Sequence, residues 1–124
     1  MAESSPMPPP ADVPALAPDD AKLVVLARSS MGRTGAAEGA AVRDLDGRTY
    51  AASTVDLPSL QLSALQAAVA AAVSSGAEGV EAAAVVTGAD RIDEDGARAV
   101  RDLSPTAALL LADRSGAVQE VSGA

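Results

Sequence analysis

The chain of 124 residues has to build a core almost without aromatic side chains. Tyr50 is its single aromatic residue, whereas hydrophobic residues make up 48% of the sequence and alanine supplies much of that fraction. A core can therefore close only on Val, Leu and Ala side chains at short range. Side chains this small require close backbone packing or help from a partner subunit. The length allows one core of this kind, and so a single domain.

Histidine and cysteine are both missing from the sequence. These residues are the usual protein ligands of zinc, copper, iron–sulfur clusters and haem, and they also supply the thiolate nucleophile and the general base that works near neutral pH. Their absence excludes most metal-dependent and nucleophilic enzyme chemistry. We therefore expect neither a metal nor any other cofactor.

The net charge is −8, and the nine basic residues are scattered along the chain. Nucleic-acid binding needs a basic stripe and usually stacking aromatic residues, so we expect no nucleic-acid partner. No apolar run approaches the ~20 residues of a membrane span, and the first residues lack the basic and apolar regions of a signal peptide. We expect no membrane association and a cytoplasmic location.

Changes of pattern along the chain predict one tail and one domain. Residues 1–18 hold six of the eight prolines, which predicts a disordered or polyproline-like tail, and residues 19–124 form the predicted domain. Capping residues and apolar spacing predict three helices, over 20–31, over 59–75 from a Ser59 cap, and from Asp93 to a stop at Pro105. Strand patterns predict a hairpin around Asp46-Gly47, a strand over 82–86, and antiparallel strands over 106–112 and 117–121. The order α-β-β-α-β-α-β-β predicts an α/β fold with a mixed five-stranded sheet and helices on both faces, in three α-β-α layers.

This order, with a hairpin at each end, resembles the cytidine deaminase-like fold of the small nucleoside deaminases, a family that includes blasticidin-S deaminase. The likeness extends over about residues 19–122 and rests on several stretches in the right succession. They are Gly39-Ala40-Ala41-Val42 with Asp46-Gly47-Arg48, then Thr54-Val55-Asp56, the helix ending Ser74-Ser75-Gly76, and Asp102-Leu103-Ser104-Pro105 before an apolar strand.

The resemblance implies a site at which zinc would activate water. In the family, His/Cys-Ala-Glu at the start of the second helix and Pro-Cys-x-x-Cys at the start of the third supply the zinc ligands and a proton-shuttling glutamate. Here the first motif falls on Ala64-Leu65-Gln66, and the second falls on residues 92–96 with Asp93 and Gly96 in place of the two cysteines. Gln66 stands at the glutamate position but has no titratable carboxyl. The resemblance therefore implies a degenerate member, with its pocket filled by side chains such as Leu65.

The substrate pocket of the family is also altered in this sequence. The Asn-x-Glu that grips the ribose aligns with Thr54-Val55-Asp56, so that one carboxylate is kept and the amide is lost. We expect a catalytically inactive protein that acts as a structural or regulatory interaction subunit, as a homo-oligomer or bound to an unknown protein partner. The alternative is a zinc-free pocket for a nucleoside or another small ligand at Thr54, Asp56 and Gln66. Residual deaminase activity is not expected.

Overall fold

The computed structural model describes residues 16–123. Its elements in chain order are α1 (Pro18–Thr34), β1 (Gly39–Asp44), β2 (Thr49–Ser53), β3 (Val55–Leu57), β4 (Leu60–Leu62), α2 (Ala64–Ser74), β5 (Val80–Val86), α3 (Glu94–Leu103), β6 (Ala108–Ala112) and β7 (Val118–Gly123). Five strands form one sheet in the order β2-β1-β5-β6-β7, in which only β5 and β6 are parallel neighbours. This mixed five-stranded α/β arrangement confirms the predicted fold class.

The helices cover the sheet from two sides, as the three-layer prediction requires. One core layer lies between α1 and the sheet and includes Leu23, Ala27 and Leu110. The other lies under α2 and α3 and includes Leu65, Val100 and smaller residues of the strands. Alternate residues of β1 and β5 enter opposite layers because successive side chains of a strand point to opposite faces.

Gly39 shows how closely the small core residues let the backbone pack. A Cβ atom built on Gly39 would lie 1.9 Å from the carbonyl oxygen of Ala27, so that only glycine fits where β1 passes beneath α1. Ala27 is itself fully buried. Helix and strand therefore meet at a distance that larger side chains would prevent.

The start of the second helix differs from the sequence prediction. The predicted helix over 59–75 is wrong at its start, because residues 55–62 form the separate two-stranded sheet of β3 and β4, with Leu57 directly opposite Leu60. The helix begins at Ala64, after the N-cap residue Ser63. Pro58 and Ser59 make the turn between the two strands instead of capping a helix.

The predicted hairpin around Asp46-Gly47 joins β1 to β2. Gly47 has a φ of 85°, the left-handed conformation that this turn requires. The carboxylate of Asp44 accepts hydrogen bonds from the backbone N–H groups of Asp46 and Arg48, both at 2.9 Å, and from the Tyr50 hydroxyl at 3.0 Å. Burial opposes ionisation of Asp44, but the Arg48 backbone, the Tyr50 hydroxyl and the Asp46 backbone outweigh it and hold the pKa of the carboxyl below its ordinary value.

The predicted tail lies mostly outside the described residues. The described chain starts with Leu16, which packs against the core layer beneath α1. Pro18 then occupies the first turn of α1, where its missing N–H has no helical partner to lose. Among residues 16–123, no helix is both long enough and apolar enough to cross a membrane.

Candidate functional site

The first turns of α2 and α3 pack directly against each other. Leu65, the second residue of α2, is only 1% exposed. A Cβ atom built on Gly96 in the first turn of α3 would lie 2.8 Å from the Leu65 Cβ and 3.1 Å from its Cγ and Cδ2. The Leu65 side chain therefore occupies the space next to α3 that a side chain at position 96 would need.

Local hydrogen bonds fix where α2 begins. The Ser63 hydroxyl accepts a hydrogen bond from the Gln66 backbone N–H at 3.1 Å, and the Gln66 side-chain oxygen accepts one from the Ser63 backbone N–H at 2.9 Å. This reciprocal pair is a capping box, which satisfies two N–H groups at the helix start. The side-chain amide oxygen of Gln66 therefore points back towards Ser63.

The start of α3 is fixed in a similar way by Asp93. Its carboxylate accepts a hydrogen bond from the Gly96 backbone N–H at 2.8 Å. Glu94 and Asp95 follow in the first turn, where negative charge is favoured by the helix dipole. The acidic run at the start of α3 is thus explained by capping and by the dipole.

Ala64 and Gln66 lie in the first turn of α2, and Asp93 and Gly96 lie at the start of α3. Ala64 is fully buried and has no polar side-chain atom, while Gln66 and Asp93 both serve as caps. The α2 side chain that faces Gly96 is Leu65, whereas the resemblance had placed Gln66 at the acid/base position. In the sequence, the pattern Ser63-x-x-Gln66 before an apolar run is the signal that indicates this helix start.

The residues at this junction do not fit a zinc ion. Of the three positions that the resemblance assigns to ligands, Ala64 and Gly96 carry no donor, and the Asp93 carboxylate is engaged with the Gly96 N–H. Zinc sites in proteins use nitrogen, sulfur or carboxylate ligands that converge on one point. Within residues 16–123, no three carboxylates are grouped so that they could hold a metal ion.

Thr54, Asp56 and Gln66 each form a hydrogen bond within the protein. The Thr54 hydroxyl accepts a hydrogen bond from the Glu38 backbone N–H at 3.2 Å. Asp56 is exposed on β3 and accepts a weak hydrogen bond from the Gln61 side chain at 3.4 Å. With Gln66 acting as a helix cap, each of the three is engaged in its own local structure.

A cavity of about 410 Å³ lies where the parallel strands β5 and β6 end. Ligands of open α/β sheets often bind at this edge. Buried Thr87, which lines the cavity, donates a hydrogen bond to Glu38 at 2.7 Å and accepts one from the Ala89 N–H at 3.1 Å. Asp113 accepts hydrogen bonds from the Ser115 hydroxyl and the Ala117 N–H, which lower the pKa of its carboxyl. Thr87 and Asp113 therefore already have hydrogen-bond partners within the protein.

The chain is similar to known cytidine deaminases in fold. The cytidine deaminase from Burkholderia pseudomallei is 21% identical and superposes with a TM-score of 0.72 over 82% of this chain and 90% of its own. A mutant cytidine deaminase from Mycobacterium tuberculosis is 24% identical, with a TM-score of 0.60 over 73% of this chain and 81% of its own. The enzyme from Mycobacterium leprae is 18% identical, with a TM-score of 0.61 over 79% and 89%.

Sequence comparison gives the same assignment at the level of the family. No curated protein matches the chain in sequence. The family model described as cytidine deaminase-like, however, matches residues 16–116, which is most of the chain. The sheet order and the paired starts of α2 and α3 agree with that match, and the chain belongs to the cytidine deaminase-like family.

Proposed function

We propose that this protein is a catalytically silent member of the family that works in the cytoplasm as a structural or regulatory interaction subunit. It would act as a homo-oligomer or bound to another protein. The observation that carries the proposal is the contact of Leu65 with Gly96, because it puts hydrocarbon at the junction of α2 and α3. A deaminase needs an activated water and a titratable acid/base at that junction.

The polar residues around Leu65 support the same proposal. Gln66 has no titratable group with which to move a proton between water and a leaving amine, and one oxygen of the Asp93 carboxylate caps α3. Burial of a leucine side chain contributes about 1.5–3 kcal/mol to stability. The junction is therefore better explained as part of the core than as a reaction site.

A silent protein has to act through its surface, and this chain exposes large apolar side chains near α2. Leu57 is 55% exposed and Leu60 is 48% exposed. The two residues are paired directly opposite each other at the tip of the β3–β4 hairpin. Exposed apolar side chains that lie next to each other are candidates for a contact surface between proteins. They support an interaction function, without naming the partner.

The test is a deamination assay on the purified chain, with the cytidine deaminase from Burkholderia pseudomallei as the positive control. We expect no conversion of cytidine to uridine by the wild-type chain in the presence of added zinc. Conversion above the background of a Leu65→Arg variant, which places a charge at the junction, would overturn the proposal. Circular dichroism of the variant shows whether that comparison is made on folded protein.

Nucleoside binding without chemistry is a distinct outcome of a second assay. A ligand at one hundred times its dissociation constant raises the free energy of unfolding by about 2.7 kcal/mol. We expect no rise in melting temperature with cytidine, uridine or deoxycytidine. A rise that Asp56→Asn removes and Asp46→Asn keeps would favour a small-ligand pocket at Asp56 over an interaction subunit.

A further inference from the structure

We propose that β2 is a pairing edge at which two copies of this chain join their sheets, antiparallel, about a two-fold axis that passes beside Ala51. This inference rests on the proposed function and specifies which surface the oligomer uses. The sheet then continues from β2 of one protomer to β2 of its partner. The occupant of the edge is a second copy of the same chain.

The pairing with β1 determines which backbone groups of β2 point outward. The hydrogen bonds from Asp44 N–H to the Arg48 carbonyl and from Thr54 N–H to the Glu38 carbonyl flank the ladder at its two ends. In an antiparallel pair the hydrogen-bonded residues alternate, so Tyr50 and Ala52 bond to β1. The N–H and C=O groups of Thr49, Ala51 and Ser53 therefore face away from the sheet.

The outward N–H and C=O groups of β2 can pair with the same groups of β2 in a second copy. If Ala51 lies opposite Ala51 of a second copy, then Thr49 lies opposite the second copy's Ser53, and Ser53 lies opposite its Thr49. All the outward N–H and C=O groups of β2 then pair at once, since hydrogen-bonded pairs recur at every second residue. A two-fold axis produces this register without any rearrangement of the strand.

The two edges of the sheet differ in their protection against such pairing. The edge strand β7 carries the charged residue Glu120, and its register with β6 shifts between Leu111 and Ala112. Charges and bulges of this kind block edge-to-edge contact. β2 has neither: its sequence is Thr-Tyr-Ala-Ala-Ser, and its register with β1 is continuous.

Charge also favours a contact at this edge over other surfaces. Two chains with a net charge of −8 repel each other unless they meet at an uncharged surface. Neither β2 nor α2, which packs over β2 and β1, contains a charged residue. Ala70 and Val73 are exposed on α2, so the uncharged surface extends from the strand to the helix.

The geometry of the pairing brings the two α2 helices together as well. Paired strands lie about 4.8 Å apart. Because α2 lies above β2 and β1, the axes of α2 in the two copies would then be about 10 Å apart, a normal distance for packed helices. Alanine makes up most of α2, and side chains this small allow two helices to pack at such a distance.

Cysteine cross-linking tests the register directly, because the chain contains no cysteine of its own. Residues directly opposed in a hydrogen-bonded antiparallel pair have Cα atoms about 5.5 Å apart, within the range that a disulfide spans. We expect Ala51→Cys to form a covalent dimer under mild oxidation at micromolar concentration. The matched control is Ser122→Cys on the exposed face of β7, which we expect to stay uncross-linked.

Sedimentation velocity over a range of concentrations tests the energetics. Ala51→Lys puts two like charges at the axis and should weaken dimerisation by about tenfold or more, whereas Ser122→Lys adds the same charge at β7 and should change it less than about twofold. Ala51→Pro removes only the outward N–H and should act like Ala51→Lys, since proline is tolerated on an edge strand. Far-ultraviolet circular dichroism and a melting curve confirm that each variant is folded.

Three results would overturn the inference. They are a wild-type chain that is monomeric at all concentrations, a dimer that Ala51→Lys leaves intact, and equal cross-linking through positions 51 and 122. A dimer that uses another surface leaves the proposed interaction function standing. Deaminase activity, in turn, would remove the proposed function and leave the pairing of β2 unaffected.

Discussion

The α2–α3 junction and the β1–β2 turn each bury one side chain almost completely, but the two side chains differ in chemistry. Leu65 at the junction is 1% exposed and meets the bare backbone of Gly96. Asp44 in the turn is 3% exposed, and its carboxylate accepts hydrogen bonds from two backbone groups and a tyrosine hydroxyl. The chain thus keeps a buried charge where hydrogen bonds satisfy it, and it packs hydrocarbon between the two helix starts at which the resemblance places the catalytic positions.

The largest expected effect follows from truncating Leu65. Leu65→Ala leaves a cavity between α2 and α3 and should lower the free energy of unfolding by about 2–5 kcal/mol. The matched control is Leu60→Ala, because Leu60 is 48% exposed and its truncation should cost less than about 1 kcal/mol. Urea unfolding measures both. Equal costs would contradict the assignment of Leu65 to the core.

The contact itself is tested by Gly96→Ala. The new Cβ would lie 2.8 Å from the Leu65 Cβ, so α3 has to shift, and we expect a net loss of about 1–3 kcal/mol. Gly32→Ala is the control, since Gly32 lies within α1 with nothing within 4 Å of the added atom. That variant should gain up to about 1 kcal/mol from helix propensity. Gly96→Ala and Gly32→Ala should therefore change the free energy of unfolding in opposite directions in the same experiment.

A smaller effect is expected from the cap of α2. Ser63→Ala removes the acceptor for the Gln66 N–H and should lower the free energy of unfolding by about 1 kcal/mol. Ser59→Ala alters the residue that the sequence predicts as the cap, but which lies in the β3–β4 turn, and it should be close to neutral. A larger cost for Ser59→Ala than for Ser63→Ala would mean that the helix begins where the sequence predicts.

Asp44→Asn should lower the melting temperature slightly at neutral pH, because the amide keeps one of the two acceptor oxygens but loses the charge. Its main consequence is for pH dependence. The pKa of Asp44 is lowered in the folded state, so its ionised form stabilises the fold at pH values above the ordinary carboxyl range. This contribution is lost as the pH falls below about 4 and through the lowered pKa. Melting temperatures of wild type and variant should therefore differ at pH 7 and converge in acid. Asp46→Asn in the same turn is the control, with a profile parallel to that of the wild type.

Most of the fold can be predicted from the sequence because its signals are local. Asp46-Gly47 between alternating residues identifies the hairpin, and the short spacing of the last two strands requires them to be antiparallel. The β3–β4 hairpin is hidden in the sequence, because Leu62, Leu65 and Val69 also fit a helical spacing, which extends the predicted helix towards Ser59. Only the capping box at Ser63 separates the two interpretations.

The candidate site is less predictable than the fold. The resemblance locates the starts of α2 and α3, and filling by Leu65 was expected. Which of the consecutive residues 64–66 faces α3, however, depends on the residue at which the helix begins, since each residue turns the side chain by about 100°. That phase becomes visible only when Gly96 and Leu65 are seen in contact.

The zinc content of the purified, untagged chain tests the central claim most directly. The claim is that hydrocarbon seals the α2–α3 junction and that the chain holds no catalytic metal there. After incubation with excess zinc and removal of the unbound ion, mass spectrometry of the metal should find far less than one zinc per chain, in wild type and in Gly32→Ala alike. One tightly held zinc per chain, retained through dialysis and lost in Asp93→Ala, would contradict the account.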